Sequence, residues 1–162
     1  MKQIREYVSD FLMIENEEII VEIASYARLK DFRKKERIVV TGERITDVSF
    51  LVRGAAKSVS VSEDGREKVH EICCAPYGPV PIADFNIFKG ISASVDIVSL
   101  SKCVVLLIPV DKLKEFARRH AEVQEALSGI YISAIRRIFN YINILHTYQN
   151  NLFGLYKYYI EH

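Results

Sequence analysis

The chain has 162 residues, 49% apolar and 27% charged, which suits one globular domain plus an extension. Lys and Arg number 22 against 21 Asp and Glu, a formal charge of +1, so the basic excess of a dedicated nucleic-acid-binding domain is missing. No apolar run approaches the ~20 residues of a membrane span, and Lys2, Arg5, Glu6 and Asp10 deny the N-terminus a signal-peptide core. A cytoplasmic chain without a membrane partner is expected.

Residues 2–12 set Ile4, Tyr7, Val8 and Phe11 among charges at helical spacing. Asn16–Tyr26 repeats the pattern, with Ile19, Ile20, Ile23 and Ala27 on one stripe. Two short amphipathic helices follow from this. The period then switches to two. Leu29–Phe32 and Arg37–Val40 are short strands, with Thr41-Gly42-Glu43 as a turn. Val48–Val52 and Ala55–Ser62 are strands on either side of Arg53-Gly54. Glu63-Asp64-Gly65-Arg66 predicts a tight primed hairpin turn, because Asp-Gly tolerates positive φ. Lys68–Cys74 returns as its partner strand. Pro76, Gly78, Pro79 and Pro81 break regular structure, and Asp84–Phe88 suits a single helical turn. Ser94–Leu100 and Cys103–Ile108 read as a further strand pair, closed by Pro109. Asp111 is placed to cap a helix over Lys112–Arg119. Short strands separated by frequent turns argue a β-barrel or double-sheet roll, and the flanking helices make the class α+β.

The last quarter, Ala121–His162, reads as one long helix. With Tyr131 at heptad position a, the a positions are Tyr131, Ile138, Leu145, Leu152 and Tyr159. The d positions are Leu127, Ala134, Tyr141, Tyr148 and Leu155. All are apolar or aromatic, the pattern of a coiled-coil seam. A homodimer is expected, with Leu127, Tyr131, Ala134, Ile138, Tyr141 and Leu145 at its interface. The plainer alternative is a long helix lying on its own domain.

Few residues carry reactive chemistry. Cys73, Cys74 and Cys103 suit reduced thiols, and adjacent Cys73 and Cys74 point to opposite faces of a strand, which disfavours one metal site. Only His70 lies in the strand region, where a cupin metalloenzyme needs several His and a Glu. No Ser-His-Asp set, Gly-rich phosphate loop or HExxH motif appears. The expectation is no enzyme, no catalytic residue and no metal. The pairs Arg118-Arg119 and Arg136-Arg137 suit solvated helix surface.

Five words in order resemble the effector domain of the Crp/Fnr family of bacterial transcription regulators. They are Phe32-Arg33-Lys34-Lys35-Glu36-Arg37-Ile38, Thr41-Gly42-Glu43, Phe50-Leu51-Val52-Arg53-Gly54, Asp64-Gly65-Arg66-Glu67, and Ser101-Lys102-Cys103 leading to Ile108-Pro109. The resemblance covers residues 18–145. It implies the cyclic nucleotide-binding fold, a double-stranded jelly roll with N-terminal helices and a long C-terminal dimerisation helix. It also implies an effector site between a Gly-Glu pair, which holds the ribose, and an Arg-Ser/Thr-Ala run, whose Arg meets the cyclic phosphate. Counted back from Cys103, the Arg position falls on Ala93, the Ser/Thr position on Ser94 and the Ala position on Val95. The Gly-Glu pair falls near Ala83-Asp84, with Phe85 beside it. The candidate pocket is therefore Ala83, Asp84, Phe85, Ala93, Ser94 and Val95.

An unpaired phosphate there forfeits a charged hydrogen bond of roughly 1.5–3 kcal/mol. Asp84 adds repulsion, so weak or no binding of cyclic AMP or cyclic GMP is expected. The apolar lining suits either an unknown neutral small-molecule effector or no ligand at all. The organisation expected is an effector-sensing roll with flanking helices over 1–120, a dimerisation helix over 121–150, and the start of a truncated helix-turn-helix domain over 151–162. Contact with DNA would run only through that missing domain. The alternative is a stand-alone cyclic nucleotide-binding-like module for a ligand or a protein.

Overall fold

The computed structural model describes residues 2–75, the backbone of 80–81, and 92–133 with 135, 136, 139 and 143. Helix α1 covers Lys2–Leu12 and α2 Glu17–Tyr26. The Asn16 side chain caps α2 by accepting the Glu18 and Ile19 amides at 3.1 and 3.4 Å. Eight strands follow: β1 Arg28–Phe32, β2 Arg37–Val39, β3 Asp47–Arg53, β4 Ala55–Val61, β5 Glu67–Cys74, β6 Val80–Pro81, β7 Asp96–Ser99 and β8 Cys103–Pro109. Helix α3 is Val110–Arg119, and residues 121–133 form α4. The chain divides into two compact units, Met1–Ala126 and Leu127–His162.

The strands form two four-stranded antiparallel sheets, ordered β1-β8-β3-β6 and β2-β7-β4-β5. Apart from the β4–β5 hairpin, consecutive strands alternate between the sheets, which makes the roll. Phe32, Leu51, Cys103, Val105 and Leu107 of the first sheet meet Ala56, Cys73 and Ile97 of the second in the core. The opposite face of the first sheet is covered as well. Phe50, Leu106 and Ile108 are fully buried, and the Phe11 ring of α1 lies against Phe50. Burial on both faces explains why Cys103–Ile108 is an unbroken apolar run, and why Val48–Val52 is apolar but for the buried Ser49, rather than alternating. Strand β4 is buried only at Ala56 and Val59, and the register shift between Ser58 and Val59 sets them three residues apart. Among the described residues, no helix is long and apolar enough to cross a membrane.

Three expectations are corrected. The strands β7 and β8 do not pair with each other: β7 joins β2 and β4, while β8 joins β1 and β3. Leu100-Ser101-Lys102 carries the chain from one sheet to the other instead of turning a hairpin. The β4–β5 turn is not primed, since Gly65 has φ +79° but Asp64 is not among the residues of positive φ. Its amide donates to the Ser62 carbonyl at 2.9 Å, and Ser62 N–H donates to the Arg66 carbonyl at 2.9 Å. This is a three-residue loop whose last residue alone needs the left-handed region. Finally, α3 begins two residues earlier than expected, at Val110 instead of Lys112. Pro109 occupies the cap without a side-chain bond, and Asp111 lies inside the first turn, where its charge still complements the helix dipole.

The crossing between β3 and β4 depends on Gly54. Its φ is +96°, and a Cβ there would lie 2.5 Å from the Lys102 carbonyl oxygen. The two crossings, 53–55 and 100–103, therefore touch through backbone, reinforced by Ala55 N–H donating to Ser101 Oγ at 2.9 Å.

Candidate effector site

The described part of the candidate pocket is built around the Gly42-Glu43 turn. Ala93, 4% exposed, donates its amide to the Glu43 carbonyl at 2.9 Å and accepts the Gly42 amide at 2.8 Å. Arg44 and Ser92 form a bridge beside it. Ser94 is exposed, and Val95 packs against the roll core. Ala93, Ser94 and Val95 are thus consecutive along one wall. Ala83, Asp84 and Phe85 lie outside the described residues, as does the helical turn expected at Asp84–Phe88.

Sequence reasoning missed the carboxylate that closes this wall. Asp96 Oδ1 accepts the Thr41 amide at 2.7 Å, and Oδ2 lies 3.2 Å from Arg37 Nε. The Thr41 hydrogen bonds, then Arg37, hold the Asp96 carboxyl below the usual carboxylate range. Asp96 therefore locks β7 to the 41–43 turn and engages Arg37, a cation within reach of the segment. No local sequence signal marks it, because its partners are 55 and 59 residues away.

Of the expected dimer residues, Leu127 is buried and Tyr131 half-buried, and burial pushes the Tyr131 phenol up to about 12. Ala134, Ile138, Tyr141 and Leu145 lie outside the described residues. The described part of the helix also carries exposed apolar residues off the a and d positions: Ile132, Ile135 and Phe139. His70 is an exposed strand residue whose Nε2 lies 2.7 Å from Ser60 Oγ.

A roll of two antiparallel sheets flanked by helices, with the 41–43 turn hydrogen-bonded to the 93–96 segment, defines a β-roll module of the α+β class. The particular family follows from the sequence: residues 29–120, from β1 through α3, match the family model described as cyclic nucleotide-binding domain, and the chain belongs to that family. Solved structures share the fold. A cyclic nucleotide-binding domain from Methylobacillus flagellatus KT has a TM-score of 0.70 at 11% identity, covering 86% of this chain and 79% of that one. The catabolite activator protein of Thermus thermophilus has a TM-score of 0.66 at 13% identity, covering 83% of this chain and 62% of that one. The N-terminal domain of a transcriptional regulator from Streptomyces coelicolor A3(2) has a TM-score of 0.62 at 16% identity, covering 86% of this chain and 94% of that one. The chain spans 65% of a further solved regulatory protein, from Silicibacter pomeroyi DSS-3, and 62% of the Thermus protein, less than two thirds of each. No curated protein matches it by sequence.

Proposed function

We propose that this chain is the effector-sensing and dimerising part of a Crp/Fnr-type transcription regulator, and that its effector is not a cyclic nucleotide held in the usual way. The observation that carries the second statement is Ala93. The residue at the phosphate-binding position has no charge, is buried, and spends both backbone groups on the Gly42-Glu43 turn. Among the described residues two cations belong to this wall: Arg37, already engaged by Asp96, and the exposed Arg44, which bridges Ser92 through its backbone. A phosphate placed against Ala93 would be desolvated without a charged donor from that position, at a cost of roughly 1–3 kcal/mol. A neutral small molecule meets no such cost.

The transcriptional role is supported by the family and by the similar extent of the N-terminal domain of the Streptomyces regulator. In this reading, DNA is met through a separate domain, and the effector shifts the balance between two dimer arrangements. The dimer face proposed is the heptad seam Leu127, Tyr131, Ala134, Ile138, Tyr141 and Leu145, widened by Ile132, Ile135 and Phe139. Leu127 and Tyr131 are already partly covered within one chain, so the exposed Ile132, Ile135 and Phe139 offer a second copy the larger uncovered area. Their spacing of three and four residues puts them on one stripe of the helix.

Two measurements test this. Calorimetric titration with cyclic AMP and cyclic GMP is expected to give no low-micromolar binding, and such binding would overturn the exclusion. Light scattering is expected to give about twice the 18.6 kDa chain mass, falling to that mass in Ile135→Glu/Phe139→Glu. A wild-type mass of 18.6 kDa would overturn the dimer.

A further inference from the structure

One end of the roll gathers positive charge that the near-zero net charge of the chain conceals. The β1–β2 turn, residues 33–36, sits on the β7–β8 crossing: the Lys35 amide donates to the Ser99 carbonyl at 2.8 Å, and the Ser99 amide to the Glu36 carbonyl at 3.0 Å. That crossing in turn touches Gly54. Arg33, Lys34, Lys35, Arg53 and Lys102 therefore share this end, and all five are exposed. Two carboxylates on these segments oppose them. Exposed Glu36 accepts the Arg33 amide at 2.7 Å, and Asp31 lies 3.9 Å from Lys102. Arg33, Lys34, Lys35 and Arg53 have no ion-pair partner among the described residues.

The turn is rigid and locally strained. Lys35 has φ +71°, a region that favours glycine. Ser99, 1% exposed, accepts the Glu36 amide at 2.9 Å and donates to the carbonyls of Arg33 and Glu36. Glycine at 35 would satisfy the backbone better. A lysine there gives up stability for a cation at the tip, and strain of this kind concentrates where side chains have a function.

We propose that this end of the roll is a docking surface for the phosphate backbone of duplex nucleic acid, read by charge and not by base sequence. Protein interfaces are centred on apolar and aromatic side chains, whereas nucleic-acid interfaces are polar and strongly positive. The large exposed apolar side chains of the described residues lie at Met13, in α2, in β4 and β5, and at Ile132, Ile135 and Phe139, and none in the segments that form this end. Five cations held on three backbone segments match a stiff anionic rod. The surface belongs to the roll itself, and the inference does not depend on the sensory role proposed above.

The test is fluorescence anisotropy of the 162-residue chain with a labelled duplex of arbitrary sequence, read against salt. Binding is expected at low salt, with a log–log salt slope of roughly −4, about −0.9 for each cation engaged. Arg33→Glu/Lys34→Glu/Lys35→Glu is expected to weaken it at least about tenfold, while Lys2→Glu/Arg66→Glu/Lys68→Glu, with the same net charge, retains most of it. Lys35→Gly separates charge from folding, since it should raise Tm yet weaken duplex binding, and Lys35→Arg should keep binding. No duplex binding at low salt, equal loss in both triple variants, or tighter binding to a glutamate-rich peptide or to anionic phosphatidylserine vesicles would each overturn the proposal.

Discussion

Replacing Gly54 with alanine tests the junction that turns two sheets into a roll. Two costs arise. The backbone at φ +96° is unfavourable for any residue with a Cβ, by about 1–2 kcal/mol. The new methyl would also lie 2.5 Å from the Lys102 carbonyl oxygen and 3.0 Å from both Cα and Sγ of Cys103. The nearest of these is backbone, which cannot swing aside, so overpacking adds about 1–3 kcal/mol. The sum is about 2–5 kcal/mol, out of the 5–15 kcal/mol that holds a typical domain folded. In a urea titration with a slope of roughly 2 kcal/mol per molar, the midpoint should fall by about 1–2 M. Gly42→Ala and Gly65→Ala are the controls. Both glycines have φ near +80°, and a Cβ at either meets nothing within 4 Å. They carry the dihedral cost without the clash, so their midpoints should fall clearly less. Adding Cys103→Ala to Gly54→Ala removes the contact with sulfur but not the one with the Lys102 oxygen, so it should restore only part of the loss. A Gly54→Ala midpoint no lower than that of Gly42→Ala would refute the close-approach argument, and full restoration by Cys103→Ala would move the clash from backbone to thiol.

Ser99→Ala removes a buried hydroxyl that accepts the Glu36 amide and donates to the turn carbonyls; the amide keeps the Arg33 carbonyl at 3.1 Å, so the expected cost is about 0.5–1.5 kcal/mol. The matching local readout is faster amide exchange at Glu36 and Lys35 than in β8, and uniform exchange would contradict it. Asp96→Asn should cost about 1–2 kcal/mol at neutral pH, through the lost charge on the Thr41 amide and Arg37. Because the folded carboxyl titrates below its unfolded value, its contribution is complete above the ordinary carboxylate pKa and disappears as pH falls through the lowered one. The variant should therefore show a flatter loss of stability with acid than the parent chain, and parallel acid curves would remove Asp96 from the clasp.

The local elements were legible because their signals are local. Ile19, Ile20 and Ile23 recur at helical spacing and form the buried stripe of α2. The unbroken run Cys103–Ile108 and the more polar Ala55–Val61 are both strands, and the difference between them reports near-complete burial against burial at Ala56 and Val59 alone. The glycine positions were also legible, since Gly42, Gly54 and Gly65 all have positive φ. Errors fell where short range leaves alternatives. Asp-Gly permits a primed turn, but the hydrogen bonds of Ser62 to Arg66 and of Gly65 to Ser62 select a longer loop.

What the chain determined by itself is the type and order of its described elements and the uncharged residue at Ala93. Side-chain period and turn chemistry are properties of neighbouring residues, so they survive without a fold. Only the tertiary structure decided which strands pair, that β7 and β8 part into opposite sheets, that Asp96 closes on Thr41 and Arg37, and that cations from residues 33–35, 53 and 102 meet at one end. The physical reason is that each joins segments far apart in the chain, and their contact free energy exists only once the loops between them have been closed.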